Sequence, residues 1–325
     1  MVCCGAIVIA GEPIAVPLLR RLHAIDVPGA RSSHHIPTPR GGGVPIAVGL
    51  LAAMGLAGGG ASVAFMTAIA FFGLLGFADD LRALPATRRL AVQALGSAGV
   101  ALLLILPLHL AAPVLAAATV ATAVWITGFV NVYNFMDGVN GISATHALIA
   151  GAAYACYGEW VQQRFLLTAG LLVAVGALLF LPWNAGRARV FLGDVGSYTL
   201  GAALAVIAAC AVLRGLPLEA ALGPLALYLT DTAWTLQRRI RAGERWLQPH
   251  RTHVYQRWCD AGWSHQEVTL LTGAISVLLG LLGTASLTGN PALRASADLA
   301  GLVILAAYLW SPVWFRRLGL QGELG

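Results

Sequence analysis

The sequence has no lysine, and all 20 of its basic residues are arginine against 14 acids, a formal net charge of +6 over 325 residues. Only 10% of the chain is charged, where a soluble domain carries about 25%. That shortage excludes an ordinary soluble fold. The five cysteines (Cys3, Cys4, Cys156, Cys210, Cys259) form no CxxC pair and no Cys/His cluster, which excludes a disulfide framework and a structural zinc site. Most lie in apolar runs, where free cysteine behaves as a small hydrophobe. There is no long linker, no soluble segment and no internal repeat.

In place of charge there are long apolar runs. The chain is 58% hydrophobic with a mean hydropathy of +0.77. Runs of about 18 or more apolar residues read as membrane helices. Eleven spans are predicted, at 2–19, 43–59, 61–78, 90–107, 111–133, 141–157, 165–182, 197–213, 217–236, 267–287 and 297–315. The first is the weakest, because Glu12, Pro13 and Pro17 interrupt it; it lacks the basic start and small-residue cleavage site of a signal peptide. The expected fold class is therefore all-α, a polytopic bundle of about 10–11 transmembrane helices forming one membrane domain over residues 1–325. If the loop after the first span is cytoplasmic, 17 arginines fall inside and only Arg164, Arg214 and Arg294 fall outside. This split follows the positive-inside rule. It accounts for the basic balance without any nucleic-acid partner.

The inner connections hold nearly all the unusual polar residues. Asp79 and Asp80 close the third span, and adjacent carboxylates at a membrane boundary read as a metal site or a base, or as a solvated helix end. In WITGFVNVYNFMDGVNGI, Asn131, Asn134, Asp137 and Asn140 recur every three residues, which on a helix aligns them on one face. Gly138 and Gly141 would turn the chain just past it. Such a strip suits a sugar, a uracil or a phosphate-bound metal; the plainer reading is amides that join helices. RVFLGDVGSYTLG sets Asp194 between glycines before a span, with Ser197 as a candidate helix cap. A helix start of that kind suits a phosphate and its bridging Mg²⁺. PHRTHVYQR places His250, His253 and Arg257 at i, i+3 and i+7 beside Arg251, a cationic patch for phosphate oxygens or a juxtamembrane lipid contact. DVPGARSSHHIPTPRGGG is a Pro/Gly-fixed loop offering Arg31, His34 and Arg40 as anion contacts.

Taken together, RSSHHIPTPRGGG, GFADD, NVYNFMDGVNG, FLGDVGS and DTAWTLQRRIRAGERWLQPHRTHVYQR run in one order from Asp26 to Arg257. In that order they resemble the polyprenyl-phosphate N-acetylhexosamine-1-phosphate transferases of glycosyltransferase family 4. The nearest resemblance is to the branch that initiates O-antigen and other surface polysaccharides. The resemblance implies transfer of a GlcNAc-, FucNAc- or QuiNAc-type 1-phosphate from a UDP-N-acetylhexosamine to undecaprenyl phosphate, with release of UMP and with Mg²⁺, or Mn²⁺ in its place. It also implies a multi-pass protein of the bacterial inner membrane, in contact with membrane lipids, whose site faces the cytoplasm. By the same resemblance Asp79, Asp80 and Asp194 are metal residues, and Asp79, Asp80, Asp137, His250 and His253 are catalytic. Asn131, Asn134, Asn140, Arg40, Arg89, Arg251 and Arg257 bind substrate.

The sequence departs from the pentapeptide-loading branch of that family in three places: Arg89 stands where lysine is expected, Asn140 replaces the second aspartate of DGxDG, and HRTH replaces three consecutive histidines. These departures point away from a phospho-MurNAc-pentapeptide donor. A polytopic transporter would instead place charges near the membrane midplane and show repeated halves. An intramembrane prenyltransferase would carry DDxxD, but here the fifth residue is Ala83. A CDP-alcohol phosphotransferase would follow Asp137-Gly138 with Ala-Arg, which this chain does not.

Overall fold

The computed structural model describes residues 1–28, 36–244 and 251–317. In lipid every backbone polar group needs an internal partner, so apolar runs of this length resolve as helices. The chain opens with α1 (Val2–Arg21) and a short antiparallel ribbon of β1 (Ile25–Asp26) on β2 (Thr38–Pro39). Then come α2 (Gly43–Ala57), α3 (Gly60–Leu81), α4 (Ala86–Ile105), α5 (Ala112–Phe135), α6 (Ile142–Trp160), α7 (Arg164–Asn184) and α8 (Gly193–Leu213). A short α9 (Leu218–Leu222) leads through a 3-10 turn at 223–225 into α10 (Ala226–Arg241). The rest is α11 (Val254–Asp260), α12 (His265–Gly283) and α13 (Pro291–Arg317).

Among the described residues, eight helices are long and apolar enough to cross a membrane: α1, α3, α4, α5, α7, α8, α12 and α13. This is a multi-pass, all-α membrane protein. Three of the eleven expected spans fall short of that standard. The span at 43–59 is a 15-residue helix. The span at 141–157 forms α6, which carries His146 and Glu159. The span at 217–236 breaks at Gly223-Pro224, because proline interrupts the helical ladder there. Conversely, Pro13 and Pro17 sit inside an unbroken α1.

The core is α8. Every residue from Val195 to Ala211 is buried, as expected of a helix apolar on all sides. The helices α3, α5 and α2 pack against it, while α4 leans on α5 and α6 pairs with α7. Val114, Val120 and Val124 of α5 and Leu299, Leu302 and Val303 of α13 stay exposed on the outer surface. The C-terminal ends of α3 and α5 and the first turns of α4, α6 and α8 gather at one end of the bundle, bringing the sequence's acids together.

Candidate active site

Asp80 does not point its carboxylate freely into solvent. Its two oxygens each accept an N–H at 2.9 Å, from Asp194 and from Val195, so it caps the first turn of α8 from a different helix. The approach needs Gly76: a Cβ there would stand 2.3 Å from the Asp194 carbonyl oxygen. Ser197, the expected cap, lies one turn inside α8, where its hydroxyl oxygen accepts from Asn134 Nδ2 at 3.0 Å. Arg40 donates to the Asp80 backbone carbonyl at 3.1 and 2.7 Å and lies 3.7 Å from the Asp80 carboxylate. Asp79 turns the other way. It accepts from Leu84 N (2.8 Å), the Tyr198 hydroxyl (3.0 Å) and Arg89 (3.2 Å).

The strip of four polar residues is not one helical face. The helix α5 stops at Phe135, Asp137 N closes a turn on the Asn134 carbonyl at 3.2 Å, and Gly141 takes φ +83° to start α6. The glycines therefore bend the chain within the strip. Asn134 stays on the helix and donates to Asp194 Oδ1 at 2.7 Å. Asn131 faces away, donating to Gln93 Oε1 (2.7 Å) and to Thr127 O (2.8 Å). Asn140, in the turn, donates to Gly186 O at 2.8 Å. Asp137 is pushed up to about 7 from the usual carboxylate range, first by burial and further by the charge of Asp194.

These residues line a polar cavity of about 320 Å³ that includes Asp80, Asn134, Asp137, Asn140, Asp194, Arg40 and Arg251. Arg251 also pairs with Asp260 at 3.1 Å. No three acidic, histidine or cysteine side chains among the described residues converge to hold a metal. Of the three acids expected to hold one, Asp80 accepts two N–H groups, Asp79 accepts from Arg89, Tyr198 and Leu84, and Asp194 accepts from Asn134. Asp137 and Asp194 share one polar wall with Asp80. That donor set fits Mg²⁺, which typically takes one or two carboxylates and completes its shell with substrate phosphate and water.

A second, mainly apolar cavity of about 560 Å³ adjoins the first, with Asn134, Asp137, Gly138 and Gln256 in the wall of both. Leu90, Val132, Phe135 and Leu236 give it an apolar lining, and Arg89, Asn131 and His253 add polar groups. His253 begins α11 with Nδ1 at 3.0 Å from Asp231 Oδ1. Asp231 is fully buried and also accepts from the Tyr308 hydroxyl (2.5 Å) and from Val254 N (3.1 Å). Arg257 lies in α11 but lines neither cavity. His250, with Arg31 and His34, lies outside the described residues. Sequence reasoning passed over Asp231, Tyr198, Gln256 and Asp26, which the structure ties to the site. For Asp231 a signal existed, a lone acid in an otherwise apolar run.

The comparisons agree with this architecture. The family described as glycosyl transferase family 4 matches residues 62–212. The chain is 28% identical over 287 residues, 83% of this chain and 79% of the relative, to a probable undecaprenyl-phosphate N-acetylglucosaminyl 1-phosphate transferase of Bacillus subtilis. It is 29% identical to a decaprenyl-phosphate N-acetylglucosaminephosphotransferase of Mycobacterium leprae, over 92% of this chain and 86% of that one. A phospho-N-acetylmuramoyl-pentapeptide-transferase of Streptococcus mutans is 31% identical over 46% of this chain and 48% of its own. The family match runs from α3 through α8, the helices that carry the Asp79-Asp80 pair and Asp194, so this part of the chain is similar to glycosyl transferase family 4.

Proposed function

We propose that the protein transfers an N-acetylhexosamine 1-phosphate from a UDP-sugar to undecaprenyl phosphate, releasing UMP and initiating a lipid-linked surface polysaccharide. The carrying observation is the wall shared by the two cavities: a polar, acid-lined pocket and an apolar groove meet at Asn134, Asp137, Gly138 and Gln256. A water-soluble nucleotide sugar and a lipid phosphate need such a junction. The relatives similar over most of their length carry N-acetylglucosamine in their names, and those named for the pentapeptide substrate match over half of this chain or less. UDP-GlcNAc is therefore the first donor to try.

In the reaction a phosphate oxygen of the lipid attacks the phosphorus bonded to the sugar. The bond from that phosphorus to the UMP oxygen breaks, and UMP leaves with the electron pair. The lipid phosphate is largely ionised near neutrality, its second pKa being about 6, so alignment matters more than proton removal. Asn134 holds Asp194 in place, and Asp80 fixes the α8 turn that presents Asp194. Arg40 and Arg251 are placed for the charge of the diphosphate, and Arg89 and His253, in the groove, for that of the lipid phosphate. Asp137 and Asp194 would hold Mg²⁺, which would supply neutralising charge for the diphosphate.

The purified protein, given undecaprenyl phosphate and a panel of UDP-sugars, is expected to release UMP with a UDP-N-acetylhexosamine and to refuse UDP-MurNAc-pentapeptide. Chelation should stop it, and Mg²⁺ or Mn²⁺ should restore it. Pentapeptide transfer as fast as that of any simple aminosugar would overturn the branch assignment. Full activity in excess chelator would remove the metal.

A further inference from the structure

The opposite end of the bundle holds a cavity of its own. It lies between the α2–α3 turn, the start of α7 and the end of α8, and has a volume of about 380 Å³. The helices α3 and α8, of 22 and 21 residues, run from it to the acid pocket. At 1.5 Å rise per residue they separate the two by about 30 Å, the thickness of a bilayer's apolar core.

Its charge is one-sided. Arg164 and Arg214 both line it, and no acid does. Arg214 is held by neutral partners: it donates to Gln163 Oε1 at 2.8 Å and its guanidinium lies 5.9 Å from the Phe165 ring centroid. Neither contact cancels its charge. Arg164 has no ion pair among the described residues. The contrast is Arg294, the third arginine on this side of the topology, which pairs with Glu219 at 2.6 Å and is thereby neutralised. The two arginines left without a carboxylate are the two that share the cavity.

The rest of the lining suits a headgroup. Gly58 and Gly59 take φ of +69° and +104°, and a Cβ on Gly58 or Gly60 would meet nothing within 4 Å, so the turn faces open space. Ser62 donates to the Gly58 carbonyl at 2.6 Å and holds that turn in shape. Thr168 adds a hydroxyl. Beside the turn Leu56 is 80% exposed and Val63 49% exposed, apolar surface where acyl chains lie. Arginine forks match phosphate oxygens, and an apolar rim beside them favours a lipid over a soluble ion.

We propose that this cavity binds the phosphate of an anionic phospholipid headgroup through Arg164 and Arg214, at the membrane face opposite the acid pocket. The site is independent of the reaction proposed above. The full chain in delipidated detergent micelles should unfold at a higher temperature with added phosphatidylglycerol, and less so with phosphatidylcholine. In the Arg164→Gln/Arg214→Gln double variant the phosphatidylglycerol concentration for half-effect should rise about tenfold, equivalent to roughly 1.4 kcal/mol. The Lys double variant should recover part of it, and Arg294→Gln, at the neutralised arginine, should behave as wild type. Equal phosphatidylglycerol response in wild type and the Gln double variant overturns the site. Stabilisation by millimolar inorganic phosphate alone, matching that by phosphatidylglycerol, overturns the lipid and makes the occupant a soluble anion.

Discussion

Asp137 is a buried acid raised to about 7, first by burial and further by the Asp194 charge nearby. Its folded pKa lies above the unfolded one, so the stability it lends is full below about pH 4 and is lost as pH rises through about 7. The loss runs at about 1.4 kcal/mol per pH unit between those limits. Metal-free protein should therefore melt lower at alkaline than at mildly acidic pH. Asp137→Asn should flatten that dependence and cost at least about a hundredfold in turnover, on the scale of a lost electrostatic contact at the reacting centre. Mg²⁺ should restore the alkaline melting point of the wild type and leave the variant unmoved. Identical melting profiles for the two proteins would rule this out. Asp80 and Asp194 should separate in the same assay. Asp80→Ala removes the acceptor of two backbone N–H bonds and should cost about 3 kcal/mol of stability, whereas Asp194→Asn should hold its melting point and lose turnover. If Asp80→Ala melts like wild type, the cap is not what orders the α8 turn.

At the scale of elements the apolar groove depends on a clamp that does not touch the acid pocket. Asp231 of α10 binds His253 and Val254 at the start of α11 and Tyr308 of α13, fixing one side of the apolar groove. Tyr308→Phe should cost about 1–2 kcal/mol for one lost bond to a charged acceptor. With α11 loosened, KM for the lipid phosphate should rise several-fold while KM for the nucleotide sugar stays put. A parallel rise in both would assign the clamp to stability alone. This clamp also marks where the sequence stops being legible. Long apolar runs declare their helices because length alone decides them, and Pro224 marks the break in one of them. The polar residues of GFADD, NVYNFMDG and FLGD announce a site because each is costly at a membrane boundary. Their division of labour was hidden, since Asp80's partners lie 114 and 115 residues away in α8. The three-residue spacing from Asn131 to Asn140 misled for a related reason: a period says which side chains share a face only while the helix continues, and this one stops at Phe135.

For the molecule as a whole, the charge distribution and the cavities point the same way. Among the described residues Arg40, Arg89 and Arg251 line the two cavities at the acid-pocket end, and the expected sequence topology puts only Arg164, Arg214 and Arg294 on the other side; arginine-rich loops stay on the cytoplasmic side during insertion. A UDP-sugar is a charged, soluble nucleotide, so the polar cavity it would enter has to open on the same side. Arg82, just past α3, and Gln162, between α6 and α7, are exposed reporters of the two ends. Each should be changed singly to cysteine on a background lacking the five native cysteines. In intact cells an impermeant maleimide should label Gln162→Cys and spare Arg82→Cys, which should react only after lysis. The reverse pattern would put the acid pocket on the outer face, away from the nucleotide supply, and the proposed reaction would lose its donor. Labelling of both sites from outside would show that α4, α5 and α6, the helices between them, do not carry the chain from one face to the other.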